Sequence, residues 1–411
     1  MTTPSPVPHS DAPRVHVGPL LLSGAAEGPG LAAHRARWGT LPRASAADLA
    51  ERAEAVGLGG RGGAGFPFAT KLRTVAAGGR RSAVVVNASE GEPASAKDAG
   101  LLLTAPHLVL DGVALAARAL GVREAHVVLP GDRPQVAAAV RAALAERDDP
   151  RLRWHTATAT PRFVAGQSRA VLELLAGRPN LPVTAWAPDA MAGLHGRPTL
   201  LSNAETYAHV AALALAGVAS YSRQGSREEP GTTLLSVGVG AGGPHVHEVP
   251  LGSRMVDVLP PQAWGRPVLV GGFHGTWTSW DTLATATVSP RSLAALGVPL
   301  GAGVVHVPAP GTCPLELTAR IVSYLAGQSA GRCGPCANGL PALAQAVTAV
   351  THGRPGAVDR VAELTGLVAG RGACAHPDGT VRLVRSALTT LHTEVGAHAH
   401  GWCTTATAVA S

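Results

Sequence analysis

Hydrophobic and polar positions along this chain change period twice, and the changes divide it. Ser45 caps a helix, "SAADLAERAEAV", with Asp48 three residues on in the manner of a capping box. The helix runs into a glycine-rich stretch at 57–67. The apolar run "SAVVV" (82–86) reads as a strand and opens onto the polar loop "NASEGEPASAKD". A helix over 106–120 ends at Gly121. A strand over 124–129, a helix over 133–147, a strand near 151–159 and a helix near 167–176 follow. Strands and helices in turn predict a mostly parallel α/β sheet. After about residue 228 the pieces are short and β-rich, as in "TTLLSVGVG", "HVHEVP", "MVDVL" and "PVLVGGF", which predicts a small mixed β domain. From 314 the apolar positions recur at i, i+3, i+4 and i+7 through "PLELTARIVSYLAGQ", "LPALAQAVTAV", "AVDRVAELTGLVAG" and "TVRLVRSALTTLHTEV". Four such helices predict a bundle.

Composition narrows the class. The 411 residues suffice for two or three domains, and aromatics at 3% leave an Ala/Val/Leu core. The apolar stretch "LLLTAPHLVLDGVALAARAL" is broken by His and Asp short of a membrane span, and the N-terminus lacks the pattern of a signal peptide. A soluble, cytoplasmic protein is expected. The charge of +7 is carried almost entirely by single, scattered arginines, since only Lys71 and Lys97 are lysine. With no basic run interleaved with aromatics, nucleic acid is not expected as a partner. An acidic protein partner suits the charge better. The five cysteines (313, 333, 336, 374, 403) are too few and too late in the chain for a disulfide scaffold, so metal or redox chemistry comes first.

Three stretches carry candidate chemistry. "GRGGAG" (60–65) satisfies G-x-G-x-x-G, but a helix precedes it and a strand follows, so the ordinary Rossmann context is missing. What remains is a loop whose N–H groups can approach an anion or a flat ring, with Lys71 nearby as a cation, or simply a flexible loop. In "NASEGEPASAKD" (87–98), at the C-terminal end of a strand, Asn87, Glu90 and Glu92 can hydrogen-bond ring edges or sugar hydroxyls; the bland alternative is a solvated acidic loop. Cys333 and Cys336 form C-x-x-C, and Cys374 follows 38 residues later, a set suited to zinc or an iron–sulfur centre or left metal-free. Cys313 and Cys403 are read as bystanders, and His392, His398 and His400 as a solvated tail.

In order, these segments resemble the NADH-binding flavoprotein subunit of respiratory complex I and its relatives in soluble hydrogenases and formate dehydrogenases. G-R-G-G-A-G-F-P-x-x-x-K appears intact as Gly60 to Lys71. N-x-D-E-x-E-P-x-x-x-K-D appears as Asn87, Ser89, Glu90, Glu92, Pro93, Lys97 and Asp98. "PHL" falls at 106–108, "GxPTxxNNxET" at Gly196 through Thr206, and the cluster motif S-C-G-x-C-x-P-C at 329–336, with the last cluster cysteine at Cys374. The resemblance implies a non-classical Rossmann-like α/β FMN-binding domain, a β-grasp (SLBB-like) insert and a C-terminal four-helix iron–sulfur bundle. The expected boundaries are a flexible arm over 1–44, then 45–227, 228–312, 313–400 and a tail over 401–411. It implies FMN at Gly60, Arg61, Gly62, Gly63, Lys71, Asn87, Glu90, Gly166 and Asn203, and the nicotinamide nucleotide at Phe66 and Glu92, with Glu90 and Glu92 as the catalytic carboxylates. It implies an iron–sulfur cluster, [4Fe–4S] or [3Fe–4S], on Cys333, Cys336 and Cys374.

The chain also departs from the pattern. Y-x-C-G-E-E is here "FVAGQS", so Phe163 replaces Tyr, and Gln167 and Ser168 replace two glutamates. Ser89 replaces Asp, Thr74 stands where a second aromatic is usual, and the first cluster cysteine is Ala330. A fourth cluster ligand would have to be water, Ser329, His376 or a partner's group. The expected activity is electron transfer from NADH through FMN and the iron–sulfur centre to a redox partner, a ferredoxin or a thioredoxin-like [2Fe–2S] protein. Any membrane attachment would run through partners. The competing reading is a non-catalytic paralogue that keeps the fold in a docking or regulatory role, with a structural flavin and no functional cluster.

Overall fold

The computed structural model describes residues 5–7 and 13–407. Its first sheet has four strands, all parallel, in the spatial order Arg153–Thr158, Glu124–Leu129, Ala83–Asn87, Thr199–Asn203. Val84, Val85 and Val86 are buried with helices on both faces, which is why the strand reads as an unbroken apolar run. Helix Ala46–Ala55 starts at the capping box anticipated from Ser45 and Asp48. Helices Lys97–Thr104 and Pro106–Ala119 meet at 95° and are both largely buried. No single described helix is long and apolar enough to cross a membrane. Pro106–Ala119 packs against Ala204–Tyr221, and at the crossing a Cβ on Gly112 would lie 1.9 Å from the Tyr207 carbonyl oxygen, so only glycine allows the approach.

A second, mixed sheet has six strands in the order Arg14–Val15, His245–Pro250, Thr232–Val239, Val304–Val307, Val268–Val270, Thr276–Thr278. Its outermost strand comes from the N-terminal segment, which corrects the expectation of a loose arm for residues 13–44; residues 1–4 and 8–12 of that expected arm lie outside the described residues. Leu20, Leu21 and Leu22 are buried, and the Glu248 carboxylate accepts their three backbone N–H groups at 3.1, 2.7 and 2.9 Å. Further on, helix Leu31–Trp38 is anchored by His34, which bonds Asp111 at 2.8 Å on the buried helix Pro106–Ala119. Burial of leucines and two buried carboxylates outweigh the Pro and Gly content that suggested a free arm.

The C-terminal region is helical. Pro314–Gly327, Leu340–Thr351, Ala357–Val368 and His376–Thr390 enclose Leu315, Ile321, Leu325, Leu340, Leu343, Val361 and Leu383. His392–Ala399 and the short Thr404–Thr407 follow. Residues 392–407 are therefore ordered structure, where a solvated tail was expected. The molecule is thus a mixed α/β fold with a C-terminal helical region.

Candidate flavin and iron–sulfur sites

Chain order puts a topological switch point in the parallel sheet. From Ala83–Asn87 the chain builds outward through 124–129 and 153–158, then returns to place Thr199–Asn203 on the other side. Ligands of open α/β sheets bind outside the strand C-termini at such a point. Asn87 and Asn203 are the last residues of the two central strands and pair in register. Asn203 caps helix Ala204–Tyr221, its Oδ1 accepting from the Thr206 N–H, while its Nδ2 donates to Asp98 at 3.1 Å. Asn87 donates to the Gly166 carbonyl at 2.7 Å and accepts from Ser89. Thr199–Asn203 was not read as a strand from the sequence, because "TLLSN" runs directly into an apolar helix.

The glycine loop closes over this crevice. The Gly60 N–H donates to the Phe66 carbonyl and the Arg61 N–H to Thr206 Oγ1, both at 2.9 Å, while a Cβ on Gly62 would stand 3.8 Å from Asn203 Cβ. Gly62, Gly63, Ala64 and Gly65 form an exposed turn. Gly63 and Gly65 have φ of 103° and 63°, which lets successive N–H groups converge. Lys71 Nζ donates to the Leu201 carbonyl at 2.9 Å and lies 5.9 Å from the exposed Phe66 ring. Arg61 donates to the Thr232 carbonyl, and its buried Nε has no partner among the described residues. A cavity of about 230 Å³ lies under the loop, lined by Gly60, Arg61, Gly63, Lys97, Glu205 and Gly301. An exposed glycine turn beside the Arg61 and Lys71 side chains fits a phosphate-bearing flavin. A larger groove of about 800 Å³ between strand Thr276–Thr278 and helix His376–Thr390 contains none of the expected site residues.

The acidic loop is held from below. Glu90 adopts a left-handed backbone conformation, φ 39°, which is costly for a residue with a side chain. Its carboxylate accepts from Ser95, from the Asp98 and Ala99 N–H groups and from Arg133 at 2.5 Å. Burial opposes its charge, but Arg133 and Lys97 keep its pKa below the usual value. Lys97 is buried between Asp98 and Glu205, 2.8 Å from each. Burial likewise opposes ionisation of Glu205, but the Lys97 ammonium and His209 hold its carboxyl down to about 2. Glu92 differs: it accepts the Phe273 and Ala94 N–H groups at 2.8 and 3.2 Å, yet has no cation beside it, and burial pushes it up to about 8. Arg133, which completes the Glu90 site, carried no signal in the sequence.

The three cysteines converge from two turns. Cys333 leads into one π-helical turn, Pro335–Gly339, that carries Cys336, a local winding frequent at functional sites. Cys374 lies in the turn before helix His376–Thr390. Burial opposes ionisation of Cys333, but N–H groups of Ala373 and Cys336 keep its pKa below the usual thiol value. Burial and the neighbouring Cys333 thiol push Cys336 up to about 12. Burial raises the Cys374 pKa above the usual thiol value, and the His376 N–H and the nearby Gln167 side chain partly oppose the rise. His376 is not available as a fourth ligand: its Nε2 donates to the Leu325 carbonyl at 2.9 Å, and its Nδ1 meets His274 at 3.0 Å. Three thiols in one place fit an iron–sulfur centre with an incomplete set of protein ligands.

A nucleotide-type cradle at the end of a parallel sheet, joined to a cysteine-bearing helical region, defines a flavoprotein with an iron–sulfur site. Comparison with known proteins makes this specific. Residues 53–212 match the Nuo51 FMN-binding domain, and 316–398 match the NADH-ubiquinone oxidoreductase-F iron-sulfur binding region. The chain belongs to this NADH-binding FMN/iron–sulfur flavoprotein family, as a divergent member. It is 29% identical over 374 residues to an NADH-quinone oxidoreductase subunit of Mycobacterium tuberculosis strain H37Rv, covering 84% of this chain and 83% of that one. It is 28% identical to an NADH-quinone oxidoreductase subunit of Rhizobium meliloti strain 1021, covering 85% and 88%. Among solved structures, the NAD+-reducing [NiFe]-hydrogenase in the H2-reduced state aligns with a TM-score of 0.80 at 26% identity, over 94% of this chain and 68% of that one.

Proposed function

We propose that this chain is an electron-entry subunit that takes reducing equivalents from NADH and delivers them to a separate redox protein. The observation that carries the reading is one continuous path of contacts. Phe163 and Gly166 lie in a single loop, and that loop bonds Asn87 at the strand ends and Gln328 at the end of helix Pro314–Gly327 in the helical region. FMN would be held by Gly60, Arg61, Gly62, Gly63, Lys71, Asn87, Gly166 and Asn203, and the cluster by Cys333, Cys336 and Cys374. Bound FMN supplies the conversion between the hydride chemistry of NADH and the single-electron chemistry of an iron–sulfur centre. Phe66, exposed beside Lys71, offers a flat surface to the nicotinamide nucleotide. Glu92, whose pKa burial pushes up to about 8, carries a largely neutral carboxyl against the Phe273 backbone and so adds little repulsion towards the nucleotide's phosphates. Glu90 acts as a positioning residue, because four hydrogen bonds occupy its carboxylate. We assign the region 228–312 to a β-grasp insert. The partner is an acidic [2Fe–2S] protein, ferredoxin or thioredoxin-like, suited to a net charge of +7, and the setting is cytoplasmic.

Anaerobic purification followed by an absorbance spectrum, iron analysis and NADH titration tests this reading. Flavin that NADH bleaches, with iron present, is expected. Absence of a flavin band sinks the proposal, and unbleached flavin removes NADH as donor. The second reading, a docking or regulatory paralogue, is favoured by Ala330 together with the occupied His376. Iron below one atom per chain with unbleached flavin would support it.

A further inference from the structure

The C-terminal region holds a second group of metal-type donors that the flavin-to-cluster path does not use. Cys313 immediately precedes helix Pro314–Gly327. Glu394 and His398 stand one turn apart on helix His392–Ala399, and Cys403 lies just before Thr404–Thr407. One ligand atom from each of the four lies within 4.8 Å of all the others. Cys313 Sγ is 3.4 Å from His398 Nε2 and 3.5 Å from Glu394 Oε1, and those two atoms are 3.0 Å apart. Cys313, Glu394 and His398 are buried, at 4%, 5% and 7% exposure.

The hydrogen bonds around His398 orient it as a ligand. His398 Nδ1 lies 2.6 Å from the Thr351 carbonyl oxygen. A carbonyl only accepts, so Nδ1 donates to it, and Nε2 faces the Glu394 carboxylate and the Cys313 sulfur. A proton holds the 3.0 Å contact between Nε2 and Glu394 Oε1 until a metal displaces it, and Glu394 also accepts the Thr404 N–H at 3.2 Å and the Thr404 hydroxyl. An imidazole whose other N–H is given to a backbone carbonyl is the usual arrangement of a metal-bound histidine. Two sulfurs, one imidazole nitrogen and one carboxylate oxygen match the tetrahedral preference of zinc, with no position left open.

We propose that Cys313, Glu394, His398 and Cys403 form a structural zinc(II) site that fastens the C-terminal segment to the first helix of the bundle. Binding releases to solvent the two thiol protons and the proton shared by His398 Nε2 and Glu394, and forms two Zn–S, one Zn–N and one Zn–O bond, with no change of oxidation state.

The test is metal analysis of the full-length chain, with zinc and iron measured on the same sample. One zinc per chain is expected. In competition with a chromogenic chelator, H398Q and C403S should weaken zinc binding on the order of 100-fold or more, since loss of an outer partner alone costs about 10–100-fold. C333S/C336S should keep the zinc, and so should H245A, which opens the separate surface group His16, His245 and His247. If H398Q or C403S does not fold, cobalt(II) loaded into the unmodified chain decides: thiolate-to-cobalt charge-transfer bands with tetrahedral ligand-field bands that survive in C333S/C336S support the site. Substoichiometric zinc in the zinc-loaded chain overturns the proposal and leaves a His398–Glu394 ion pair. Zinc lost from C333S/C336S but retained by C403S overturns it as well.

Discussion

The strand-end crevice and the cysteine turns are positioned by different forces. At the crevice, Asn87 and Asn203 are fixed by the register of two parallel strands, and each is bonded to a neighbouring loop or side chain. The charges beneath are matched, Lys97 to Asp98 and Glu205, Arg133 to Glu90. The cysteines instead sit on turns between helices, and Ala330 leaves their set one short. Register and buried ion pairs build a cradle before any ligand arrives. Turn-borne thiols rely on the ligand to complete their geometry. The flavin side should therefore tolerate loss of its ligand, while the cluster side should respond sharply to single changes.

The largest effect is expected from C374A, which should abolish iron binding while leaving flavin in place, read by iron analysis and absorbance on one preparation. Wild-type iron in that variant would move the cluster elsewhere. Next, K97M leaves Asp98 and Glu205 buried without their cation. It should cost about 3–5 kcal/mol in urea unfolding, with K97M/E205Q recovering part of the loss. A loss below about 1 kcal/mol would put the network on a par with surface pairs. Third comes a pH effect. Burial raises Glu92 from 4.5 to about 8, so the folded chain holds this proton more tightly than the unfolded one. The stabilisation is complete below about pH 4.5 and is lost as pH rises through about 8. E92Q should flatten that slope in urea midpoints; an unchanged slope would show that Glu92 is not its source. The smallest effect is expected for Q167E, which places a carboxylate where the Gln167 side chain opposes the rise in the Cys374 pKa. Loss of about 1 kcal/mol corresponds to roughly fivefold faster iron release in air. An unchanged release rate would detach Gln167 from the cluster.

Legibility followed locality. The capping box at Ser45 and Asp48, the strand at 83–87 and the four long bundle helices could be read because their signals lie within a few residues. Cys333 and Cys336 were legible as a pair for the same reason. Strand Thr199–Asn203 was not, because a short apolar run before an apolar helix has no period of its own. Arg133 carried no motif; its role arises from what the fold sets beside it. The bystander reading of Cys313 and Cys403 is set aside by our zinc proposal, because Cys313 meets Glu394 across 81 residues and His398 across 85.

By itself, then, the sequence determined the local elements, the glycine loop, the acidic loop and the cysteine pair, because backbone propensity, capping and short spacings act over a few bonds. The tertiary structure decided where the arm lies, which strand completes the switch point, and which carboxylates keep their protons. Those outcomes depend on burial and on partners brought together from distant parts of the chain. Glu90 and Glu92 show it most plainly: two residues apart in one loop, one is held charged by Arg133 and the other is left protonated against the Phe273 backbone.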